Sequence, residues 1–314
     1  MIRDSKWPHF SNSDINEVGK LLKSGKVNYW TGEQCKKFEY EFGKYNNIKN
    51  CIAISNATVG LEMAMQALDI KNGDEVIVTS RSFIASASCV LSVNAKPVFA
   101  DIDINSQNID PESIERKISN KTKAIIIVHL SGYPCAMKKI MSIVKKNNIY
   151  LIEDCSQAHG AKIGKNFCGS WGDIAVWSFC NDKIISTGGE GGMISAKSNK
   201  IYKILFYLKD HGRSKFNVLV EKKYTSKFDN YGSNYRMTEI QALLGRLQLK
   251  RLDSMIIKRR KISEIYIKSA KKFKSIRIQK INKKYFHVFY KCYFFINKKY
   301  IKKEFNRNIL LEKL

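Results

Sequence analysis

Lys183 sits where a reactive amine could be held. It follows the short run Trp177-Ser178-Phe179-Cys180 and the pair Asn181-Asp182, and the glycine run Gly188-Gly189-Glu190-Gly191-Gly192 comes shortly after. A lysine between an apolar strand and a glycine hinge can be fixed and partly dried with its amine free to react, which is the setting of a Schiff-base lysine. Ser55-Asn56-Ala57-Thr58 closes an earlier apolar run and opens a helical one. Its small and hydroxylated residues fall where a helix leaves backbone N–H groups unpaired, a pattern that serves an anion site or an ordinary N-cap. Glu153-Asp154 ends a third apolar run, so the Asp154 carboxylate lies at a strand end in low-dielectric surroundings. Such a group needs a cationic partner, whether a ligand or a structural ion pair. Gln157 and His159 follow closely, and the glycine and alanine around His159 mark it as structural.

These residues need a scaffold that brings strand ends together. Apolar runs at 51–54, 75–79, 97–100, 124–130 and 150–153 alternate with helical patterns such as Leu61, Met65 and Leu68, or Met137, Ile140, Met141 and Val144. That alternation predicts an α/β fold with a mostly parallel central sheet between helices, whose ligands bind beyond the carboxyl ends of the strands. After the glycine run, 193–196 reads as a strand and 201–209 as a helix. Residues 212–233 read as a long surface loop. From Met237 a single long helix carries Ile240, Leu243, Leu244, Leu247, Leu252, Met255 and Ile256 on one face. Residues 286–296 read as a strand or hairpin arm and 301–314 as a final helix. Residues 1–250 are therefore expected to form a large domain and 251–314 a partial small domain, in an arrangement where the N-terminal segment can pack on the latter.

A chain of 314 residues with 44% hydrophobic residues can bury a full core. The formal charge is +27, of which residues 246–314 supply +18 through 22 lysines and arginines against four acids. A solvated lysine-rich surface accounts for that excess better than a nucleic-acid or membrane partner does. No stretch has the apolar length of a membrane span and the first residues lack a signal-peptide core, so a cytoplasmic location is expected. The eight cysteines lie mostly in apolar or glycine-rich surroundings and read as reduced core residues. Dinucleotide, P-loop, zinc and nucleophile-elbow readings fail on spacing, because G-x-G-x-x-G after the first strand, G-x-x-x-x-G-K-[ST], C-x-x-C and G-x-S-x-G are all missing.

From about Ser24 to Asp253 the chain resembles the DegT/StrS sugar-nucleotide aminotransferases, a branch of the fold-type-I pyridoxal-phosphate enzymes. The matching blocks include Val27-Asn28-Tyr29-Trp30-Thr31-Gly32, Ser55 to Leu61, Gly73 to Val78, Pro97 to Asp103, Glu153 to Ala158, Ser178 to Gly192, His211-Gly212-Arg213 and Asn234-Tyr235-Arg236-Met237. The resemblance implies pyridoxal 5'-phosphate held covalently on Lys183, which, once displaced, would move the substrate proton. It also implies Asp154 on the ring nitrogen, Gln157 on the ring 3-oxygen and Phe83 stacked on the ring. Thr58, the backbone of Val59 and Ser178 would hold the phosphate, joined by Asn234 from the neighbouring subunit of a homodimer. The implied reaction is transamination of a nucleotide-linked 3-keto or 4-keto sugar with glutamate as donor, for surface polysaccharide or glycan synthesis. Lys183 argues against the dehydratases of the family, which carry histidine there.

The chain stops where relatives continue through the small domain, so a shortened C-terminus is expected, leaving the apolar run 286–296 short of covering layers. The alternative function is then a catalytically impaired protein of the same fold that binds anionic polymers or membrane surfaces through its basic tail.

Overall fold

A computed structural model describes residues 7–213, 228, 230–301 and 307–312. Its centre is a seven-stranded sheet of β1 (Cys51–Ile54), β2 (Glu75–Thr79), β3 (Lys96–Ala100), β4 (Thr122–Val128), β5 (Tyr150–Asp154), β8 (Ile174–Ser178) and β9 (Gly192–Ala196), in the order β1-β9-β8-β5-β4-β2-β3. The pairs from β8 to β3 are parallel, and β9 runs antiparallel to both its neighbours. The sequence pattern anticipates this mostly parallel α/β sheet; strands such as β1, β8 and β9 are buried at every residue, as a sheet covered on both faces requires.

Alternate residues of each strand feed opposite layers. Ile52, Ile54, Val76, Ile126, Ile152 and Val176 pack against α3 (Ala57–Ala67), α4 (Ala85–Leu91) and α7 (Asn199–Lys209). On the other face Ala53, Ala175 and Trp177 meet Phe38 and Phe42 of α2 (Gln34–Asn46), while Ile125, Ile127 and Leu151 meet α5 (Pro111–Lys117) and α6 (Met137–Asn147). Because side chains alternate with period two, Asp154 and Ser178 share the α3–α4 face, and Glu153 points away from it. α6 keeps the expected apolar spacing and stops at Asn148, whose left-handed φ of 50° is tolerated by asparagine.

The helix expected from Met237 is two helices, α8 (Glu239–Leu249) and α9 (Leu252–Ala270). The break falls at Arg251, whose backbone leaves ideal helical values and whose guanidinium turns to Asp14 of α1 (Asn12–Lys23) at 2.7 Å. The apolar face continues across the break, which is why periodicity alone conceals it. The arm expected at 286–296 is likewise divided. β11 (Tyr285–Phe286) pairs with β6 (Lys162–Ile163), itself paired with β7 (Asn166–Phe167), and β12 (Phe294–Ile296) pairs with β10 (Ile276–Ile278). Between β11 and β12, His287, Val288, Phe289 and Tyr290 are buried, Val288 and Tyr290 in the same cluster as Ala175 and Trp177 of the large sheet, with Val288 N–H bonded to the Gly132 carbonyl at 3.2 Å. Most of the loop expected at 212–233 lies outside the described residues, as does much of the final helix, of which α10 (Arg307–Glu312) is described. All eight cysteines are free, six of them buried.

Candidate active site

Sheet register assembles the site from distant parts of the chain. Ile54 at the end of β1 pairs with Gly192, and Gly192 pairs with Ser178 at the end of β8, so the start of α3 and the Ser178 hydroxyl meet across β9. Gly192 is needed there: a Cβ on it would stand 2.7 Å from the Asn56 carbonyl carbon and 2.9 Å from the Ala57 nitrogen. One strand over, Asp154 pairs with Val176, two residues before Ser178.

At the start of α3, Asn56 is the N-cap and its side chain accepts the Val59 N–H at 3.0 Å. That bond occupies the Val59 N–H, while Thr58 is half-buried on the first turn. The Ser178 hydroxyl accepts the Cys180 N–H at 3.2 Å and keeps its own proton to donate. This end of the site offers a helix N-terminus and a hydroxyl, the donor set of a phosphate cradle.

Asp154 is 6% exposed, and its carboxylate accepts only neutral donors: the Ser156 N–H at 3.0 Å and the Ser86 hydroxyl at 3.1 Å. Among the described residues no lysine, arginine or histidine pairs with it. A buried carboxylate without a cation is costly, and a protonated ring nitrogen would supply the missing partner. Gln157 accepts the Ser131 N–H at 2.7 Å through Oε1, which turns its amide to the donor role. Phe83, at the turn between β2 and α4, is 70% exposed and thus has a face to offer.

Lys183 lies on the turn after β8, its N–H bonded to the Cys180 carbonyl at 3.0 Å. Its Nζ is 2.7 Å from Asp182 Oδ1 and 5.3 Å from the Tyr290 ring centre. Tyr290 donates its hydroxyl proton to the other Asp182 oxygen. Burial opposes ionisation of Asp182, yet the bonds from Lys183 and Tyr290 outweigh it and hold the carboxyl below its ordinary value. His159 is wholly buried at 5.6 Å from the Phe179 ring. Burial, then the nearby Lys183 charge, push it down to about 3, so it is a neutral imidazole at physiological pH.

Asn234 is exposed and bridges Asp210 beyond α7; next to it the Tyr235 carbonyl accepts the Ser55 N–H at 2.9 Å. Asn234 thus lies on the surface close to the phosphate-cradle end. Sequence reasoning missed Ser86, Asp182, Gly192 and Tyr290. Asp182 and Gly192 flank the lysine motif and were open to notice, whereas nothing in the sequence ties Ser86 or Tyr290 to the site.

A second buried cluster resembles a metal site but is built otherwise. His129, Glu153 and Cys155 offer ligand atoms within 4.8 Å of one another. His129 Nδ1 accepts the Cys135 N–H at 3.0 Å, so the ring proton sits on Nε2, which faces Glu153 at 3.0 Å. A nitrogen that carries a proton has no lone pair for a metal.

The mostly parallel sheet brings Asp154, Ser178 and the lysine-bearing turn to one side of its strand ends, where an α/β enzyme binds its ligands. The chain belongs to the DegT/DnrJ/EryC1/StrS aminotransferase family, whose model matches residues 8–314. It is 37% identical over 283 residues to a GDP-perosamine synthase of Escherichia coli O157:H7, covering 90% of this chain and 75% of that protein. The crystal structure of an aminotransferase from Psychrobacter cryohalolentis superposes with a TM-score of 0.95 at 41% identity, covering 98% of this chain and 81% of that one. NtdA from Bacillus subtilis, solved with bound cofactor PMP, superposes with a TM-score of 0.83 at 26% identity over 92% of this chain and 65% of that one. The protein is accordingly a sugar aminotransferase that uses pyridoxal phosphate. Among the described residues no helix is long and apolar enough to cross a membrane.

Proposed function

We propose that the protein transfers an amino group from glutamate to a nucleotide-linked keto-sugar, at C3 or C4, in surface polysaccharide or glycan synthesis, and that it does so as a homodimer. The observation that carries the reading is Asp154, a buried carboxylate with hydrogen bonds but no cation among the described residues. The bound cofactor supplies an electron sink that stabilises negative charge on the substrate carbon. Asp154 keeps the ring nitrogen protonated, Gln157 donates to the ring 3-oxygen and Phe83 covers one ring face. The helix start at Thr58 and the Ser178 hydroxyl hold the phosphate, joined by the Val59 N–H when the anion takes the place of the Asn56 side chain that accepts it at 3.0 Å. Asn234, exposed beside that cradle, reaches the phosphate of the neighbouring subunit. Lys183 would anchor the cofactor and, once displaced, would be the base that moves the proton between the substrate carbon and the cofactor carbon that had carried the lysine.

The test is purified protein given pyridoxal phosphate, then glutamate in the absence of any sugar. A visible absorption band that glutamate bleaches, with release of 2-oxoglutarate, is expected. Lys183→Ala should remove the original band and lower turnover by about three orders of magnitude or more. A Lys183→Ala protein with an unchanged band and unchanged glutamate turnover would sink the reading.

A further inference from the structure

Two arginines outside the cofactor cradle converge on one ring. Arg81, two residues past the end of β2, places its guanidinium carbon 4.8 Å from the Tyr293 ring centre and 5.9 Å from that of Phe295. Arg277 of β10 places its own 4.2 Å from the same Phe295 centre. Both are half-buried and both are fixed: Arg81 donates to the Gln107 side chain, and Arg277 Nη1 donates to the Ile104 carbonyl at 3.0 Å. Among the described residues neither has a carboxylate within ion-pair distance. Arg116, Arg236, Arg246 and Arg251 each meet an acid, whereas Arg259 and Arg260, away from this ring, are held by the carbonyls of Tyr290 and His287.

Two like charges gathered at one phenylalanine repel each other, and ordering their long side chains costs entropy. Hydrogen bonds to neutral oxygens orient the guanidinium groups without neutralising them. The aromatic faces of Tyr293 and Phe295 hold the groups flat and leave their N–H edges for a planar or bidentate anion. The position is also telling. Arg81 precedes Phe83 on the same turn, while β2 is separated from β5 and Asp154 by β4 alone, roughly 10 Å across the sheet.

We propose that Arg81 and Arg277 bind the diphosphate of the nucleotide-linked sugar, with Tyr293 and Phe295 as the platform that aims them. The inference rests on the sugar-nucleotide reading above and assigns the residues of this chain that recognise the substrate's two charges. The arginines come from the large sheet and from β10, so the diphosphate bridges the two parts of the chain.

The experiment uses the full chain loaded with cofactor and measures binding of inorganic pyrophosphate and of GDP, UDP and dTDP by calorimetry. Arg81→Gln and Arg277→Gln should each weaken pyrophosphate and the nucleotides about tenfold, and Arg81→Lys should recover part of the loss because it restores the charge. Glutamate turnover in the wild type checks the underlying reading separately: its absence refutes that reading whatever the arginines do. Unchanged pyrophosphate and nucleotide affinity in both glutamine variants, with an intact visible band showing that they fold, overturns the proposal. So does a loss that falls on the KM for glutamate with pyrophosphate binding retained, which would make the arginines a donor carboxylate site.

Discussion

Glu153 and Asp154 are adjacent carboxylates at one strand end, and replacing each by its amide should have opposite effects. Glu153 is wholly buried and saturated: Oε1 accepts the Trp171 and Gly172 N–H groups at 2.8 and 2.7 Å, and Oε2 accepts the Gly169 N–H at 2.8 Å and His129 Nε2 at 3.0 Å. In Glu153→Gln the amide NH2 must face two donors whichever way it turns, because His129 Nδ1 is already an acceptor and cannot release the Nε2 proton. Two charge-assisted bonds are lost at about 1.5–3 kcal/mol each, so roughly 3–6 kcal/mol of stability is at stake. At about 2 °C per kcal/mol for a chain of this size, thermal unfolding without cofactor should begin roughly 6–12 °C lower. In Asp154→Asn the buried charge disappears, while the carbonyl can still accept the Ser156 N–H and the NH2 can donate to the Ser86 hydroxyl. The cofactor-free protein should therefore keep its melting temperature or gain up to about 1 kcal/mol, and lose much of the further rise that pyridoxal phosphate gives the wild type. The assay is thermal unfolding of the three proteins with and without saturating cofactor. The reasoning is wrong if Glu153→Gln melts within about 2 °C of wild type, or if Asp154→Asn is destabilised without cofactor as severely as Glu153→Gln.

Gly192→Ala forces a methyl group against the backbone of Asn56 and Ala57, so it should cost about 1–3 kcal/mol and weaken cofactor binding about tenfold. A spectral titration giving affinity within twofold of wild type would show that the start of α3 is not pressed against β9. Asp14 gives a pH dependence. Burial opposes its ionisation, but the bonds from Arg251 and the Ser11 N–H prevail and depress its pKa, so its contribution is full above the ordinary carboxylate value and fades as pH falls through the lower, folded one. Asp14→Asn should then lose about 1–2 kcal/mol at pH 7 and converge with wild type as pH falls through the depressed, folded pKa, as read from melting temperature against pH. A constant gap between the two proteins across that range would rule the ion pair out as the cause.

Much of this architecture is legible in the chain because strand ends and helix starts have local causes. The buried runs of β1, β2 and β5 are apolar at nearly every position, and the residues directly after them are those that a parallel sheet delivers to one edge. Lys183, Asp154 and Thr58 could be singled out for that reason, before register placed Ser178 and the start of α3 on either side of Gly192. What the chain conceals depends on long-range contact. Tyr290 looks like one apolar residue among several in 286–296, and only docking of that segment sets its hydroxyl on Asp182. The split between α8 and α9 is hidden likewise, since Arg251 turns out of the helix toward Asp14, a residue 237 positions earlier.

The turn that bears Lys183 is held from both ends of the chain. Glycines at 188 and 189, with φ of 91° and 128°, give the segment after it little intrinsic stiffness. Trp7 compensates from the N-terminal side by donating its indole N–H to the Lys183 carbonyl at 3.2 Å, and Tyr290 does so from the C-terminal side through Asp182. Arg259 ties the two clamps together, lying 5.0 Å over the Trp7 ring and donating to the Tyr290 carbonyl at 3.3 Å. These contacts grip the backbone and the neighbouring carboxylate and leave Nζ one weakly held ion pair, 2.7 Å from Asp182 Oδ1. A side chain that must stay bonded to a cofactor, let go and return needs this division, with a fixed Cα and an amine that gives up only a half-exposed partner when it moves.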